Sequence, residues 1–258
     1  MRDNPGVADL GTFDAIARQA RLGTASAQRP WPLPTAPWSH AETRRDVLLA
    51  HWGVPPEQLA RLLPPGLAAD TFGGAAWLGV SAYRVTGFRL RGLPPLPGIA
   101  SFPRLEVCTP VTVGSRPGLW LFQLETGNRL VAEALKRTHR LPAYHASVTL
   151  QETPTGFEVD ATRDGHSFLG RYARRGRPFV AEPGTLDHFL AERYALYTED
   201  GGRLYRLELN HPPWRLERAT AEFGRTDLAP AHPAGEPNLL YSAAQDVLLW
   251  PLEEARDP

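Results

Sequence analysis

The chain of 258 residues carries 28 basic and 28 acidic residues and no formal net charge at pH 7, which disfavours nucleic-acid binding because that function needs a basic surface. Its 42% of hydrophobic residues suffices for a folded core, but no apolar run is long enough to predict a membrane span or membrane binding. The one cysteine, Cys108, excludes an intrachain disulfide. Together with the lack of an apolar signal segment in residues 1–31, it favours a cytoplasmic location.

The first 38 residues are predicted to be an appendage to a single larger domain over residues 39–258. Apolar residues recur at helical spacing over residues 13–22. Four prolines follow in residues 24–38 and predict an extended linker. We expect this segment to lie along the domain or to mediate a contact.

Short strands dominate the rest of the chain. Apolar or alternating runs bounded by proline and glycine predict them. The Pro/Gly-rich stretch 91–104 is expected to be a long ordered loop. The predicted strands cover residues 46–52, 76–85, 106–113, 119–126, 146–152, 157–163, 203–211, 214–223 and 246–252.

Two longer helices are predicted among these strands. The first covers 128–140 with Asn128 as its N-cap, and the second covers 184–197 with Thr185 as its N-cap. Because strands and helices do not alternate regularly, we predict a mainly β (α+β) fold, an antiparallel barrel or sandwich with a few flanking helices. We assign the inner helix faces to Leu130, Ala134, Leu135 and Thr138 in the first helix and to Leu186, Phe189, Leu190 and Tyr194 in the second.

The familiar catalytic and cofactor motifs are missing from the sequence. Neither a P-loop nor a dinucleotide-binding glycine motif occurs, and the eight histidines show no metal-ligand spacing, so we expect no cofactor and no metal. Residues 165–170 (GHSFLG) miss a nucleophile elbow by one residue and are expected to form a turn. A solvated loop is expected at a basic cluster, with an acidic ligand or partner as the alternative. This cluster consists of Arg171, Arg174, Arg175 and Arg177.

Arg104, Glu106 and Cys108 share one face of a predicted strand, because alternate residues of a strand point the same way. A charged pair and a thiol on one face belong either to the wet side of a sheet or to a polar cavity. We interpret Cys108 as a small core residue, although Arg104 could supply the cation that a reactive thiolate needs.

Five stretches of the sequence, taken in order, resemble the YqjF-like family, an uncharacterised bacterial group placed with the acetoacetate-decarboxylase-like fold. The resemblance covers about residues 45–252. It implies a cone-shaped antiparallel β barrel of two curved sheets, with a few flanking helices, around an internal cavity. The stretches are 46–72 (DVLLAHWGVPPEQLARLLPPGLAADTF), 76–98 (AWLGVSAYRVTGFRLRGLPPLPG), 186–206 (LDHFLAERYALYTEDGGRLYR), 209–222 (LNHPPWRLERATAE) and 238–252 (NLLYSAAQDVLLWPL).

The lysine of the decarboxylase branch has no equivalent in this sequence. In that branch a cavity lysine forms a Schiff base with a β-keto acid, assisted by an arginine and a glutamate. The matching stretch here has Ala143 and Tyr144 where lysines would stand. The chain's only lysine, Lys136, lies upstream, on what we expect to be the solvated face of a helix. We therefore expect no Schiff-base chemistry and no acetoacetate decarboxylase activity.

Three further positions depart from the family pattern. Arg104 stands where a glutamate is common, Cys108 where an arginine is common, and Glu106 where a neutral polar residue is usual. The resemblance implies the following ligand-binding candidates: Arg45, His51, Trp52, Arg104, Glu106, Cys108, Tyr144, His145, Asn210, His211 and Trp214. The alternatives are core packing for the two tryptophans and structural hydrogen bonds for His51 and His211.

Three functions are compatible with these features. The first is a barrel that binds a small organic acid or an apolar ligand in its cavity. The second is a lysine-independent enzyme acting on a small keto acid or carboxylate, in which an arginine holds the carboxylate and Glu106, His51 or His145 is the general base. The third is a protein-interaction module, including a homo-oligomer, joined through the N-terminal segment or an exposed sheet edge. Resemblance of fold alone does not decide among them.

Overall fold

The computed structural model describes residues 5–227 and 235–255, with side chains described from Asp14 onward. Strands dominate this part of the chain. The helices are α1 (Pro5–Leu22), α2 (Pro56–Ala60), α3 (Arg129–His139) and α4 (Leu186–Ala191). The strands are β1 (His40–Val54), β2 (Ala68–Ala69), β3 (Ala76–Leu90), β4 (Phe102–Val113), β5 (Arg116–Thr126), β6 (Ala143–His145), β7 (Ser147–Thr153), β8 (Gly156–Arg163), β9 (His166–Phe179), β10 (Ala195–Asp200), β11 (Arg203–Asn210), β12 (Leu216–Thr226) and β13 (Asn238–Glu254).

Seven strands close into a barrel in the order β1-β3-β4-β5-β10-β11-β13, with β13 pairing back to β1. Closure removes the open edges that a flat sheet would expose. The long strand β13 also pairs with β12, from which β9, β8 and β7 continue as a second sheet. Among the described helices, none is both long and apolar enough to cross a membrane. The predicted mainly β barrel fold is confirmed.

Because side chains alternate along a strand, the two faces of the barrel strands contribute to two separate hydrophobic cores. Residues such as Leu124, Leu207 and Val247 point into the barrel and form the inner core. The opposite faces of β1, β3 and β4 pack against the second sheet, where Leu48 and Phe168 are fully buried. These three strands are therefore buried on both faces, which leaves their inward polar groups far from bulk water.

The N-terminal segment lies along the outer wall of the barrel. Asn210 donates hydrogen bonds from its amide to the carbonyls of Leu22 (2.6 Å) and Ala25 (2.7 Å). Arg29 is buried against Glu208, with 2.6 Å between Nη2 and Oε2. These bonds satisfy polar groups of β11 that would otherwise be exposed.

Several element boundaries differ from the prediction. Strand β1 begins at His40, six residues before the predicted start. Helix α4 ends at Ala191, because the chain turns there and pairs Leu196 and Tyr197 with β5. Strand β9 runs through the predicted turn and the basic cluster, although the arginines of that cluster are exposed as expected.

The buried face of α3 also differs from the predicted one. Leu130 is 71% exposed, whereas Val131, Ala132, Leu135 and His139 are buried. The N-cap is confirmed, since the Asn128 side chain accepts a hydrogen bond from the Val131 amide at 3.2 Å.

The seam between β5 and β10 depends on Gly118. A Cβ there would lie 2.8 Å from the backbone oxygen of Ala195 and 2.6 Å from the Tyr197 ring, and backbone cannot move aside cheaply. We predict that Gly118→Ala lowers the free energy of unfolding in urea by about 1–3 kcal/mol. Gly53→Ala is the control, because its Cβ would make only ordinary contacts at 3.7 Å or more. Equal effects of the two changes would contradict this account of the seam.

Candidate ligand-binding site

Five polar side chains meet on the inward face of β1, β3 and β4. The register of the sheet brings them together, since Tyr83 pairs with Arg104 and Ser81 pairs with Glu106 across β3 and β4. Strand β1 lies on the other side of β3 and adds two charged residues at alternate positions. The members of this inner polar cluster are Glu42, Arg44, Tyr83, Arg104 and Glu106.

A bulge in β1 decides which arginine enters the barrel. Asp46 adopts a left-handed conformation (φ 55°), and the register with β3 shifts between Arg45 and Leu48. Without the extra residue, Arg45 would share its face with the inward Val47. With it, Arg44 points inward, and Arg45 is exposed on the outer surface. The predicted cavity residue Arg45 therefore lies outside the barrel.

Hydrogen bonds lock most of the cluster in place. Arg104 donates from Nη1 to both carboxylate oxygens of Glu42 at 3.1 Å and to the Tyr83 hydroxyl at 3.3 Å. Tyr83 donates in turn to Oε1 of Glu106 at 2.6 Å. Arg44 donates from Nε to Oε1 of Glu42 at 2.9 Å. The orientation of the Glu106 carboxylate is thus fixed through its first oxygen.

The charges of the cluster stabilise one another. Burial alone would raise the pKa of Glu42, but the neighbouring Arg104 and Arg44 outweigh it and hold the pKa below its usual value. For both arginines burial favours the neutral form, yet the Glu42 and Glu106 carboxylates together with Tyr83 raise the pKa of each above the usual range. Burial also raises the pKa of Tyr83, so its hydroxyl stays a donor. Two guanidinium ions therefore face two carboxylates.

Several hydrogen-bonding groups of the cluster have no partner among the described residues, among them the buried Nε and Nη2 of Arg104. Within the described residues, Nη1 and Nη2 of Arg44 donate no hydrogen bond and Oε2 of Glu106 accepts none, and Nη1 and Oε2 lie 3.9 Å apart. The side chains of Arg44 and Glu106 are 12% and 8% exposed, against 1% for Glu42 and 4% for Arg104. The Arg44–Glu106 edge is therefore the most accessible part of the cluster.

Cys108 and His51 lie further along the same inward face. An ideal Cβ at Gly79 would lie 2.9 Å from Nε2 of His51 and 3.1 Å from Sγ of Cys108, so only glycine leaves room for both. Burial and the Glu106 carboxylate raise the pKa of the Cys108 thiol to about 12. Burial lowers the pKa of His51 to about 4. At neutral pH this pair is a thiol beside an uncharged imidazole, which agrees with a core role for the cysteine.

Two further candidates line the barrel near α4. Trp214 belongs to the inner core, and its Nε1 has no hydrogen-bond partner among the described residues. His211 is 3% exposed, lies 4.5 Å from the Tyr194 ring in a stacked arrangement, and has Nε2 3.0 Å from the carbonyl oxygen of Arg193. Its hydrogen bonds match the structural alternative.

The remaining candidates do not reach the barrel interior. Trp52 packs between the two sheets, 5.2 Å from the Phe223 ring. Tyr144 and His145 are exposed on the short strand β6, and Asn210 faces the N-terminal segment. These four side chains are placed too far outside to touch a ligand beside Arg44.

The single lysine also lies outside the barrel. Lys136 is exposed on α3, with Nζ 5.8 Å from the centroid of the exposed Tyr144 ring. No amine of a lysine side chain can therefore reach the inner polar cluster in this structure.

Three members of the inner polar cluster, Glu42, Arg44 and Tyr83, are not predicted as site residues from the sequence. Glu42 and Arg44 precede the predicted start of their strand, in the polar run HAETRR. Their alternate spacing was the available signal, because it matches a strand that extends back to His40. Tyr83 lay in a predicted strand, but nothing in the sequence distinguished it from a core aromatic.

Buried histidines with lowered pKa values, His51 and His211 among them, make stability depend on pH, and His40 and His139 form a pair of this kind. The His40 and His139 rings lie 4.8 Å apart, and burial, aided at His40 by His139, lowers their pKa values to about 3 and about 4. The unfolded chain binds protons below pH 6.5 that the folded chain does not, so stability is full above 6.5 and is lost as pH falls. We predict a loss of about 1 kcal/mol per pH unit for each histidine between pH 6.5 and 5.

Urea unfolding at pH 7, 6 and 5 measures this dependence. His139→Gln should reduce the slope. His166→Gln is the control and should leave it unchanged, because His166 is exposed at the start of β9. A free energy of unfolding that stays constant across this range would contradict the prediction.

Sequence comparison identifies the family of the chain. The model of the DUF2071 family, an uncharacterized conserved protein, matches residues 41–246. YqjF of Bacillus subtilis (strain 168), described as an uncharacterized protein, is 34% identical over 234 residues, covering 88% of this chain and 97% of YqjF.

Similar solved structures share the fold at low sequence identity. The enduracididine biosynthesis enzyme MppR complexed with pyruvate has a TM-score of 0.64 at 15% identity, covering 90% of this chain and 95% of MppR. Acetoacetate decarboxylase from Legionella pneumophila has a TM-score of 0.63 at 12% identity, covering 91% of this chain and 94% of the decarboxylase. The chain thus belongs to the DUF2071 family and has the acetoacetate-decarboxylase-like fold that its sequence resembles.

Proposed function

We propose that the barrel binds a small organic acid, with Arg44 holding the carboxylate. The observation that carries this proposal is the pair of unused donor groups, Nη1 and Nη2 of Arg44, on an inward-facing side chain that remains 12% exposed. A guanidinium presents its donors in a planar fork that matches the two oxygens of a carboxylate.

The rest of the cluster supports this role of Arg44. Glu42 accepts the Nε hydrogen bond, and the guanidinium carbon lies 4.9 Å from the centroid of the Tyr83 ring. These contacts fix the orientation of the fork before a ligand arrives, which reduces the entropy cost of binding. Leucines of the inner core supply the apolar walls that small-molecule sites usually have.

The small keto acid found in a similar structure agrees with a ligand of this class. MppR was solved with pyruvate, and its fold covers most of this chain. In this chain the carboxylate anchor is proposed to act without a Schiff-base lysine, because Lys136 is exposed on α3. A cytoplasmic location is part of the same proposal and is compatible with Cys108 as a free, buried thiol.

Isothermal titration with propionate and pyruvate tests the carboxylate anchor. We predict that Arg44→Gln weakens binding about tenfold or more, equivalent to about 1.4 kcal/mol, because the fork is lost. Arg45→Gln is the matched control and should bind like the wild type, since this neighbour is exposed outside the barrel. Arg44→Lys keeps the charge, so it separates loss of the fork from loss of folding. Equal losses in the Arg44 and Arg45 variants would contradict the proposal.

Borohydride reduction in the presence of pyruvate tests the absence of a Schiff base. The intact mass of the protein should match that of a sample reduced without pyruvate, because no lysine reaches the barrel interior. A stable adduct on Lys136 that disappears in Arg44→Gln would show that our placement of the chemistry is wrong.

A further inference from the structure

The accessible edge of the inner polar cluster offers an acceptor as well as donors. Oε2 of Glu106 accepts no hydrogen bond within the described residues and lies 3.9 Å from Nη1 of Arg44. This distance is too long for a direct hydrogen bond, so both groups remain available to one ligand. A ligand that meets only the arginine would leave a buried carboxylate oxygen without a partner.

Glu106 cannot easily turn this oxygen away. Its Oε1 accepts the Tyr83 hydroxyl at 2.6 Å, and that hydroxyl is itself held by Nη1 of Arg104 at 3.3 Å. The side chain belongs to the inward face of β4 and is only 8% exposed. The free oxygen is therefore a fixed acceptor beside the carboxylate anchor.

We propose that Glu106 determines the specificity of the carboxylate site described above, and that the site takes acids with a hydrogen-bond donor on the carbon next to the carboxylate. In a 2-hydroxy or 2-amino acid, the hydroxyl or ammonium group lies beside the carboxylate and donates to Oε2 of Glu106 while Arg44 holds the carboxylate. This inference rests on the proposed function and narrows it to a ligand class.

Acids without that donor are disfavoured by the same geometry. The keto oxygen of a 2-oxo acid turns lone pairs toward the Glu106 carboxylate, and a methylene group leaves that oxygen desolvated and unpaired. A site built around a buried hydrogen-bonding group discriminates strongly against ligands that lack the matching group. Pyruvate and propionate should therefore bind through Arg44 but with lower affinity, because Oε2 of Glu106 is left without a hydrogen-bond donor.

The balance of charge in the cluster distinguishes 2-amino acids from 2-hydroxy acids as ligands. Two guanidinium ions, those of Arg44 and Arg104, already face the two carboxylates of Glu42 and Glu106. A zwitterionic 2-amino acid preserves this balance, whereas a 2-hydroxy acid adds one negative charge. Buried charge is costly unless it is compensated. Both classes share the proposed donor, and their relative affinity reports how much the charge balance matters.

Four acids with the same three-carbon skeleton test the inference: alanine, lactate, pyruvate and propionate. Isothermal titration of the full chain should give dissociation constants for alanine or lactate about tenfold or more below those of pyruvate and propionate. In Glu106→Gln this preference should fall below about threefold, because propionate and pyruvate no longer meet an unmatched carboxylate oxygen and bind more tightly than they bind the wild type. Glu222→Gln, on the exposed outer sheet, is the control and should keep the full preference.

The outcomes distinguish the two proposals. Binding of pyruvate or propionate as tightly as lactate and alanine overturns the specificity inference and leaves the carboxylate site standing. The wild-type ranking decides this even when Glu106→Gln does not fold. If folded Glu106→Gln keeps the full preference for alanine or lactate, Glu106 does not determine the specificity of the site. Absence of binding by all four acids overturns the proposed function itself.

Discussion

Four charged side chains enclosed in the barrel constrain one another: Glu42, Arg44, Arg104 and Glu106. Moving a single charge of this kind out of water is costly, and the cost is offset only when an opposite charge and good hydrogen bonds are supplied. Glu42 contacts both guanidinium groups, and Tyr83 links Arg104 to Glu106. Removing any one member leaves an uncompensated charge in the interior. The three strands that carry them, β1, β3 and β4, must therefore keep their register.

The surrounding architecture keeps this cluster away from bulk water. Closure of β13 onto β1 completes the barrel, and the second sheet covers the outer faces of the strands that bear the charges. The Arg44–Glu106 edge keeps some exposure and unused hydrogen-bonding groups and faces inward, and Nε and Nη2 of Arg104 are buried without a partner among the described residues. The proposed chemical role of the interior rests on these unpartnered groups.

The sequence predicted the parts of the site that follow from regular alternation. Arg104, Glu106 and Cys108 lie on one face because β4 is regular over that stretch. Arg45 lies outside because one bulged residue, Asp46, reverses the parity of β1, and local propensity does not reveal such a bulge. Glu42 and Arg44 were missed because a polar run looks solvated until a closed barrel buries it. Helix α4 is shorter than its periodicity suggested because pairing with β5 overrides local preference.

A crystal structure of the wild-type protein grown with lactate tests the central claim most directly. The account predicts one ligand inside the barrel, with its carboxylate on Nη1 and Nη2 of Arg44 and its hydroxyl on Oε2 of Glu106, while Arg45 remains in solvent. A structure in which Arg44 and Glu106 close onto each other in a direct hydrogen bond, with no room between them, would contradict it. In that case the inner polar cluster would serve the fold alone.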